Sequence, residues 1–413
     1  MRGVQARWLI LTVALATVSG VASISAVVAQ SPSTPPTTVP SPATASSPGS
    51  ASSPSAASSP GASTAPAASP LALTRDRIPL KVDARATAVA VGPDGTIVVA
   101  TAPQHLPSTV PSQIWVTADG VSFTAAKLPG GKRSVVMSVA STADGFVAVG
   151  FIPSPSTGQV WTSADGRAWK LADQVPGASL QTVVATETGV LIGGAIPRAD
   201  SSVQPGLWSL ATAGKPITIA LDGSGNVAQL AATPDGGWLA AGTEAQKQSD
   251  GSFKSVPHLW SSADATTWTA ASVPGTATWI TALANVNDTL LLSTIETDAG
   301  NSSVFHLWTS TDGVAWQDAF QSSVASVASV VAAGAGAYGF ETGAQVVSTD
   351  MRTWQQVSDR SLAAAWPAAV ATTAHGLVVL VGGTIASPFH PLVWTADISD
   401  TLTGPPTPRQ QSR

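Results

Sequence analysis

A short segment of the form Trp-Thr-Ser-x-Asp-Gly-x-x-Trp recurs along this chain, and its recurrence constrains the fold more than any other feature. The clear copies occupy residues 114–123, 160–169, 259–268 and 307–316. A weaker copy at 346–354 lacks the first Trp and the Gly, and degenerate copies surround Trp208 and Trp394. With Ala213 taken as a position that lost its Asp, successive copies lie 46, 48, 51, 48, 38 and 47 residues apart, which gives seven units.

Two short β-rich runs flank a turn upstream of the clear copies. Asp94-Gly95, Asp144-Gly145 and Asp235-Gly236 stand between apolar runs, and Asp-Gly there favours a hairpin because Gly tolerates positive φ and Asp bonds its own turn. Each unit then has four strands, and a repeat of about 40–50 residues with four strands is typical of a propeller blade. The sequence predicts an all-β fold, a seven-bladed β-propeller over residues 73–404, with six or eight blades as the alternatives.

The last unit ends soon after Asp397 and lacks its own fourth strand. Residues 78–82 alternate apolar with other residues, as a half-buried strand does. Pro79 is acceptable there only on a sheet edge, since it cannot donate a ladder hydrogen bond. We therefore expect Ile78 to Val82 to pair with the blade that contains Trp394 and to close the ring.

The two ends of the chain differ in composition from its middle. Arg2 and Arg7 precede an apolar stretch that ends in small residues at Ala29, which predicts a signal peptide or an N-terminal membrane anchor over residues 1–29. Residues 30–72 are mostly Ser, Pro, Ala and Thr and predict a disordered linker, because such a segment has little to bury. We expect residues 405–413 to be a disordered tail. The protein is then secreted or tethered to the cell surface, with an anchor as its only membrane contact.

The composition excludes several kinds of site. The chain has no Cys, which removes disulfides and thiolate metal sites. Its formal charge of −5 argues against nucleic acid as a partner, since phosphate binding needs a basic face. The His residues show no tight metal-ligand spacing, so we predict no metal and no other cofactor. We expect a monomer.

Ser-x-Asp-Gly-x-x-Trp, at Ser163 to Trp169 and Ser310 to Trp316, resembles a shortened Asp-box (BNR repeat) of sialidase-like propellers. In that family the box lies on the hairpin between the two outer strands, away from the catalytic face. The resemblance implies structural roles for the box residues: the carboxylate accepts turn amide hydrogens, Gly relaxes the backbone, and Trp covers the gap to the next blade. The structural Asp residues are Asp119, Asp165, Asp264, Asp312 and Asp350.

Strand order fixes two faces of the predicted ring. The hairpin turns within each unit lie on one face, and the longer connections lie on the other, where function is usually found. Trp279 and Trp366 begin inner strands on that second face, and sugar rings stack on such indoles while carboxylates and imidazoles bond hydroxyls. The alternative is that the Trp residues pack between blades and that the His and Glu side chains are merely solvated. The candidate ligand-binding residues are Trp279, Trp366, Glu244, Glu296, Glu341, His258 and His306.

The resemblance also raises an enzymatic alternative, a sialidase-like glycoside hydrolase acting on extracellular glycans. Such an enzyme needs a Tyr nucleophile backed by Glu. The only Tyr, Tyr338, follows an inner hairpin turn and is expected on the opposite face, so we assign no catalytic residue. The sequence favours an exported, non-enzymatic propeller that presents a binding face to an extracellular glycan or protein.

Overall fold

The structure is a computed structural model. The predicted signal or anchor segment, most of the predicted linker and the predicted tail lie outside the residues that it describes, as does the turn of the degenerate repeat after Trp208. No helix among the described residues is long and apolar enough to cross a membrane. The described residues are 69–79, 83–104, 111–130, 133–198, 203–211, 217–221, 224–247, 249, 253–297, 302–323 and 326–399.

Seven antiparallel four-stranded sheets form the described part of the chain, which confirms the all-β, seven-bladed propeller. Blade 1 comprises β2 (Ala84–Val91), β3 (Ile97–Pro103), β4 (Gln113–Thr117) and β5 (Thr124–Ala126). Blade 2 comprises β6 (Val135–Thr142), β7 (Gly145–Pro153), β8 (Ser156–Ser163) and β9 (Lys170–Pro176), and blade 3 comprises β10 (Ser179–Thr186), β11 (Gly189–Pro197), β12 (Val203–Ala211) and β13 (Ile217–Ala220). Blade 4 comprises β14 (Asn226–Ala232), β15 (Trp238–Lys247), β16 (Phe253–Ser262) and β17 (Thr269–Ala271), and blade 5 comprises β18 (Trp279–Val286), β19 (Thr289–Thr297), β20 (Ser303–Ser310) and β21 (Gln317–Ser322). Blade 6 comprises β22 (Ser329–Ala333), β23 (Gly336–Glu341), β24 (Ala344–Ser348) and β25 (Gln355–Ser358), and blade 7 comprises β26 (Ala365–Thr372), β27 (Leu377–Thr384), β28 (Pro391–Asp397) and β1 (Thr74–Arg77). A 3-10 turn, Arg360–Leu362, precedes β26.

The core is a ring of apolar layers between neighbouring blades. Successive side chains of a strand point to opposite faces of its sheet, so each blade has two apolar faces. In β8 the buried Trp161 packs with Ala88 and Val98 of blade 1, whereas the adjacent Val160 packs with Leu180 of blade 3. Each blade therefore packs against both neighbouring blades. Without its outer strand, a blade would leave part of one of these apolar layers exposed to water.

The N-terminal strand β1 closes the ring by pairing with β28, with Arg75 opposite Trp394. The prediction that residues 78–82 form this strand is wrong: the pairing segment is Thr74–Arg77, and residues 80–82 lie outside the described residues. Ile78 is instead buried in the apolar layer between blades 7 and 1. The alternating pattern reflects the burial of Ile78. The closing strand Thr74–Arg77 is exposed and polar at every position, so no pattern of apolar residues marks it in the sequence.

The repeated turn between the third and fourth strands has one geometry in five blades. In blade 2, Oδ1 of Asp165 accepts hydrogen bonds from the backbone N–H of Arg167 at 2.8 Å and of Ala168 at 2.9 Å. These bonds hold the pKa of the Asp165 carboxyl below its usual value. The indole Nε1 of Trp169 donates to the carbonyl of Gly166 at 2.6 Å, which fixes the ring over the cleft to blade 1. The same pair of backbone bonds is made by Asp119, Asp264, Asp312 and Asp350.

Candidate functional site

The propeller has a turn face and a loop face. The turn face carries the hairpins within each blade, including the Asp turns. The loop face, defined by the starts of the first and third strands and the ends of the second and fourth, carries all seven predicted ligand-binding residues except Glu341, which is buried just beneath it. We describe the candidate site on the loop face.

A β-bulge recurs near the loop face in the inner strand of six of the seven blades. In blade 4 it lies between Val227 and Gln229, opposite Gly242 of β15. A Cβ on Gly242 would lie 1.6 Å from the carbonyl oxygen of Asn226, so only glycine fits there without rearrangement. In blade 5 the matching residue is Thr294, whose hydroxyl accepts the indole N–H of Trp308 at 2.9 Å. The other bulges lie at 86/88, 136/138, 180/182, 280/282 and 367/369.

Blade 6 lacks this bulge and is shorter on the loop face. Its second strand ends at Glu341, the counterpart of Thr294, and turns at once through Thr342 and Gly343, whereas β19 of blade 5 continues to Thr297. Three extra residues extend a strand by about 10 Å. The second strand of blade 6 therefore extends less far toward the loop face than that of any other blade. We call the region over residues 342–343 and 359–364 the blade 6 recess.

Trp279 and Trp366 stand on either side of the blade 6 recess. Each occupies the same position of an inner strand, just before the bulge, in blades 5 and 7 respectively. Trp366 is 44% exposed, which is unusual for an indole, and Ile385 beside it on the same blade is 48% exposed. Trp279 is partly buried. Trp279 lies on the blade 6 side of its sheet, whereas Trp366, which pairs with Gly383, lies on the blade 1 side of blade 7, so the two indoles face different clefts between blades.

Arg85 occupies the corresponding position in blade 1 and was not among the residues predicted from the sequence. Its guanidinium is largely enclosed and makes no hydrogen bond or ion pair with another described residue, and burial lowers the pKa of Arg85 to about 10. A Cβ on Gly383, which pairs with Trp366, would lie 3.1 Å from the Cβ of Arg85. The Arg85 main chain thus lies next to blade 7, while its side chain, paired with Ala102, lies on the blade 2 side and has no charged partner among the described residues; it stays charged at neutral pH.

His258 and Glu244 form a closed pair at the loop-face end of blade 4. Nε2 of His258 lies 3.0 Å from Oε2 of Glu244, and Ser224 donates to the other carboxylate oxygen. Burial pushes the pKa of Glu244 upward, but the hydrogen bonds from Ser224, His258 and Gln246 outweigh it and the net shift is downward. Because Ser224 bonds the carboxylate and not the imidazole, this set does not activate a serine nucleophile.

His306 occupies the matching position in blade 5 but lies between two carboxylates. Its Nδ1 is 2.9 Å from Oδ2 of Asp318, and its Nε2 is 3.5 Å from Oε2 of Glu296. Gln321 donates to the same Asp318 oxygen at 2.6 Å. In both blades the imidazole stacks on an indole two residues further along the strand, with ring centroids 5.3 Å apart for His306 and Trp308.

Glu341 is separated from the other candidate residues. It is 0% exposed, faces the cleft between blades 5 and 6, and accepts a hydrogen bond from Gln356, while Oε2 has no partner. Burial raises the pKa of Glu341 to about 6, against the smaller opposing effect of Gln356. Its burial prevents direct contact with a ligand on the loop face.

The structure therefore brings the predicted residues together in three places. Trp279 and Trp366 flank the recess, His258 with Glu244 and His306 with Glu296 form two similar sets in adjacent blades, and Glu341 lies below the surface. The predicted ligand-binding residues did not include Asp318, nor Arg85, which the sequence placed only among the Arg residues that could reach the loop face. The repeat register could have found Arg85, because it aligns with the two Trp residues once the inner strands are superposed, whereas Asp318 looked like an ordinary exposed residue of an outer strand. Among the described residues no group of three or more His, Asp or Glu side chains is arranged to hold a metal ion.

No protein-family model matches the sequence, and no curated protein matches it. Solved β-propellers match the fold. YCF48 from Cyanidioschyzon merolae is 11% identical, with 78% of this chain and 98% of that chain covered and a TM-score of 0.51. The α-L-arabinofuranosidase Arb93A from Fusarium graminearum, in complex with an iminosugar inhibitor, is 12% identical, with 78% and 94% covered and a TM-score of 0.46. At 11% identity, the similarity to YCF48 shows the fold alone.

Proposed function

We propose that this chain is an exported, non-enzymatic propeller whose loop face binds an extracellular glycan beside the exposed indole of Trp366. The observation that carries the proposal is the exposed indole of Trp366 at the loop-face end of blade 7, where Ile385 is also exposed. Aromatic faces beside a pre-formed depression, with a few polar groups near them, are typical of sugar sites. The positively charged N-terminus and the small residues up to Ala29 support export.

Arg85 adds a charge preference to the proposed site. A largely enclosed cation without a counter-charge is costly unless a ligand pairs with it. Arg85 occupies in blade 1 the position that Trp366 occupies in the adjacent blade 7, so both side chains belong to the same rim of the loop face. Glycans that carry acidic groups should therefore bind more tightly than neutral glycans of the same length.

We further propose that the chain is an Asp-box propeller of the sialidase-like superfamily. The supporting observation is the common turn geometry, in which one carboxylate oxygen accepts two successive backbone N–H groups in five blades. The proposal concerns the fold lineage, and this fold hosts many unrelated functions.

A glycoside hydrolase remains the alternative function, and Glu341 is the observation in its favour, since a raised pKa suits a general acid. Two features argue against it. Glu341 is fully buried, and Tyr338 lies within β23 with a pKa raised by burial, which disfavours a phenolate nucleophile. We expect no release of 4-methylumbelliferone from its sialic acid conjugate, and release that Tyr338→Phe abolishes would establish the enzyme.

A glycan array probed with the purified exported chain tests the proposed function. We expect binding to a subset of glycans, enriched in acidic ones, and loss of at least ten-fold in affinity for Trp366→Ala. An array without any bound glycan, together with capture of a defined extracellular protein, would replace the glycan by a protein partner.

A further inference from the structure

Three large apolar side chains of blade 5 form a row that faces the blade 6 recess. Trp279 pairs with Ile295, which pairs with Phe305, and residues paired directly across strands lie on the same face of a sheet. Leu307, two residues beyond Phe305, packs in the apolar layer between blades 5 and 6, so this face of the sheet is the blade 6 side. We call Trp279, Ile295 and Phe305 the apolar row.

The apolar row has no blade 6 strand to pack against. In blade 6 the second strand, β23, ends at Glu341, whereas β19 of blade 5 continues past Ile295 to Thr297. All three side chains are only partly buried, and none of them belongs to the apolar layer between the two blades. The corresponding rows of blades 2, 3, 4 and 7 each contain a glycine or a polar residue. Three large apolar residues therefore reach the loop face at the point where the neighbouring blade ends.

The described chain enters the propeller beside this recess. Gln345 bonds the main chain of Leu71, the third described residue, and its Nε2 also donates to Oδ2 of Asp359 at 2.6 Å. The Asp359 N–H in turn donates to the carbonyl of Gly343 at 2.8 Å. Asp359 and Gly343 belong to the recess, so the residues that precede Leu71 start at its edge.

Residues 60–68 come directly before the described chain and lie outside it. Their sequence, Pro-Gly-Ala-Ser-Thr-Ala-Pro-Ala-Ala, has small side chains and two prolines, and no charged residue occurs between Arg7 and Arg75. Uncharged segments that contain proline bind aromatic-lined grooves in an extended conformation. Nine residues at about 3.1 Å each span about 28 Å, and neighbouring sheets lie about 10 Å apart. The segment is therefore long enough to reach the apolar row from Leu71.

We propose that residues 60–68 bind in the blade 6 recess and cover the apolar row. Tethering makes the contact intramolecular, with an effective concentration in the millimolar range, so weak apolar packing is enough to hold it. Loss of so weak a contact shifts the melting temperature by no more than about 2 °C, and removal of residues 1–68 leaves the propeller nearly as stable. This inference does not depend on the proposed glycan site, because Trp366 faces the cleft to blade 1.

A fluorescent label in the full chain tests the proposal, because the chain has no Cys and a single introduced cysteine is labelled alone. Bimane on Ala65→Cys should be quenched by contact with Trp279. We expect it to be about two-fold dimmer than bimane on Ala45→Cys, which lies in the same linker but outside the proposed contact. Trp279→Phe should restore the brightness, because it keeps an aromatic ring and removes the quencher. Trp366→Phe is the matched control at the same position of blade 7 and should leave the quenching unchanged.

Two further variants separate loss of binding from loss of the quencher. Ile295→Thr and Phe305→Ser keep Trp279 but remove apolar surface from the row, so the label at residue 65 should brighten in each. Thermal melting curves establish that each variant is folded, and either one decides the result if the other melts early. Quenching that persists in a folded variant of the row, or that Trp366→Phe relieves as fully as Trp279→Phe, would overturn the proposal.

Equal brightness of the labels at residues 65 and 45 in the unsubstituted propeller would also overturn it. Light scattering then identifies what covers the apolar row instead. A dimer would assign the row to a second copy of this chain, and a monomer would assign it to another molecule.

Discussion

The side-chain amide of Gln345 clamps the main chain of Leu71. Its Oε1 accepts the Leu71 N–H and its Nε2 donates to the Leu71 carbonyl, both at 2.8 Å, although the two residues are 274 positions apart. Both groups are buried, and Leu71 packs in the layer between blades 6 and 7. Leu71 therefore belongs to the packed propeller, although it lies two residues ahead of the predicted start of that domain at residue 73.

Gln345→Ala should destabilise the propeller because it leaves the Leu71 N–H and carbonyl buried without partners. Each such group costs about 1–3 kcal/mol, so the two together should lower the free energy of unfolding by about 2–6 kcal/mol. Chemical denaturation measures it. In a chain that begins at residue 73 the same substitution should cost much less, and an equal cost in both chains would show that the clamp is not its cause.

Removing residues 1–77 should lower the melting temperature and promote aggregation. The deletion takes away β1 and exposes the edge of β28, and an uncovered edge is a template for pairing with another chain. Differential scanning calorimetry and light scattering follow both effects. A deletion of residues 1–68 alone is the control and should melt like the full chain.

Trp366→Ala should reduce glycan binding and change stability little, because its indole is 44% exposed. Trp169→Ala is the matched control: it removes a buried indole of the Asp turn and should cost about 3–5 kcal/mol of stability without a direct effect on the proposed site. Thermal melting curves measured together with binding isotherms distinguish a loss of glycan binding from a loss of stability. If Trp279→Ala and Trp366→Ala melt as early as Trp169→Ala, both are packing residues and the proposed site must be abandoned.

Ala265→Gly should stabilise the protein. Ala265 has φ of 59° at the turn position where Gly166 and Gly313 have φ of 73° and 72°, and a left-handed conformation costs a residue with a Cβ about 1–2 kcal/mol. Loss of the methyl contacts and the flexibility of glycine offset part of the gain, so we expect about 0.5 kcal/mol. Gly313→Ala should act in the opposite direction, because its Cβ would lie 3.0 Å from Leu239.

Glu341→Gln should remove a pH dependence of stability between about pH 4.5 and 7. The folded pKa of about 6 lies above the usual 4.5, so the folded state favours the protonated acid and loses stability as the pH rises through 6. A shift of this size corresponds to about 2 kcal/mol. Denaturation at pH 4.5 and 7.5 gives the free energy of unfolding of both proteins. Relative to wild type, Glu341→Gln should be about 2 kcal/mol more stable at pH 7.5 than at pH 4.5. A difference between variant and wild type that is the same at both pH values would contradict the assignment.

The features that recur in every repeat were predicted correctly from the sequence. The closing strand and the shortened blade 6, which depart from the repeat, were not. The Asp turns and the blade number follow from local chemistry, since one carboxylate and one residue at positive φ define each turn. The closing strand was misplaced because Thr74–Arg77 is an exposed edge that needs no apolar residue. The blade 6 recess was missed for a related reason: it arises where β23 stops at Glu341, and a strand that ends early leaves no residue pattern of its own.

The residues of the site divide in the same way. Trp279 and Trp366 were predicted because aromatic residues at strand starts are visible in the repeat. Arg85 became conspicuous only when burial and the lack of a partner could be seen, and Asp318 only when its distance to His306 was known. Chemistry that depends on contacts between strands is thus read from the structure and not from the sequence.

The closure also determines how the ring responds to a pulling force. Because Leu71 precedes β1, tension on the chain ahead of it loads the Gln345 clamp first and spares the β1–β28 ladder until the clamp breaks. The contacts that follow are the packing of Leu73, the pairing of Thr74 with Thr395, and those of Arg75, whose guanidinium bonds the carbonyls of Ser361 and Ala363 and lies over Trp394. We therefore expect the ring to open under load in two stages. The two hydrogen bonds between Gln345 and Leu71 break first, and the four-residue strand β1 then separates from β28.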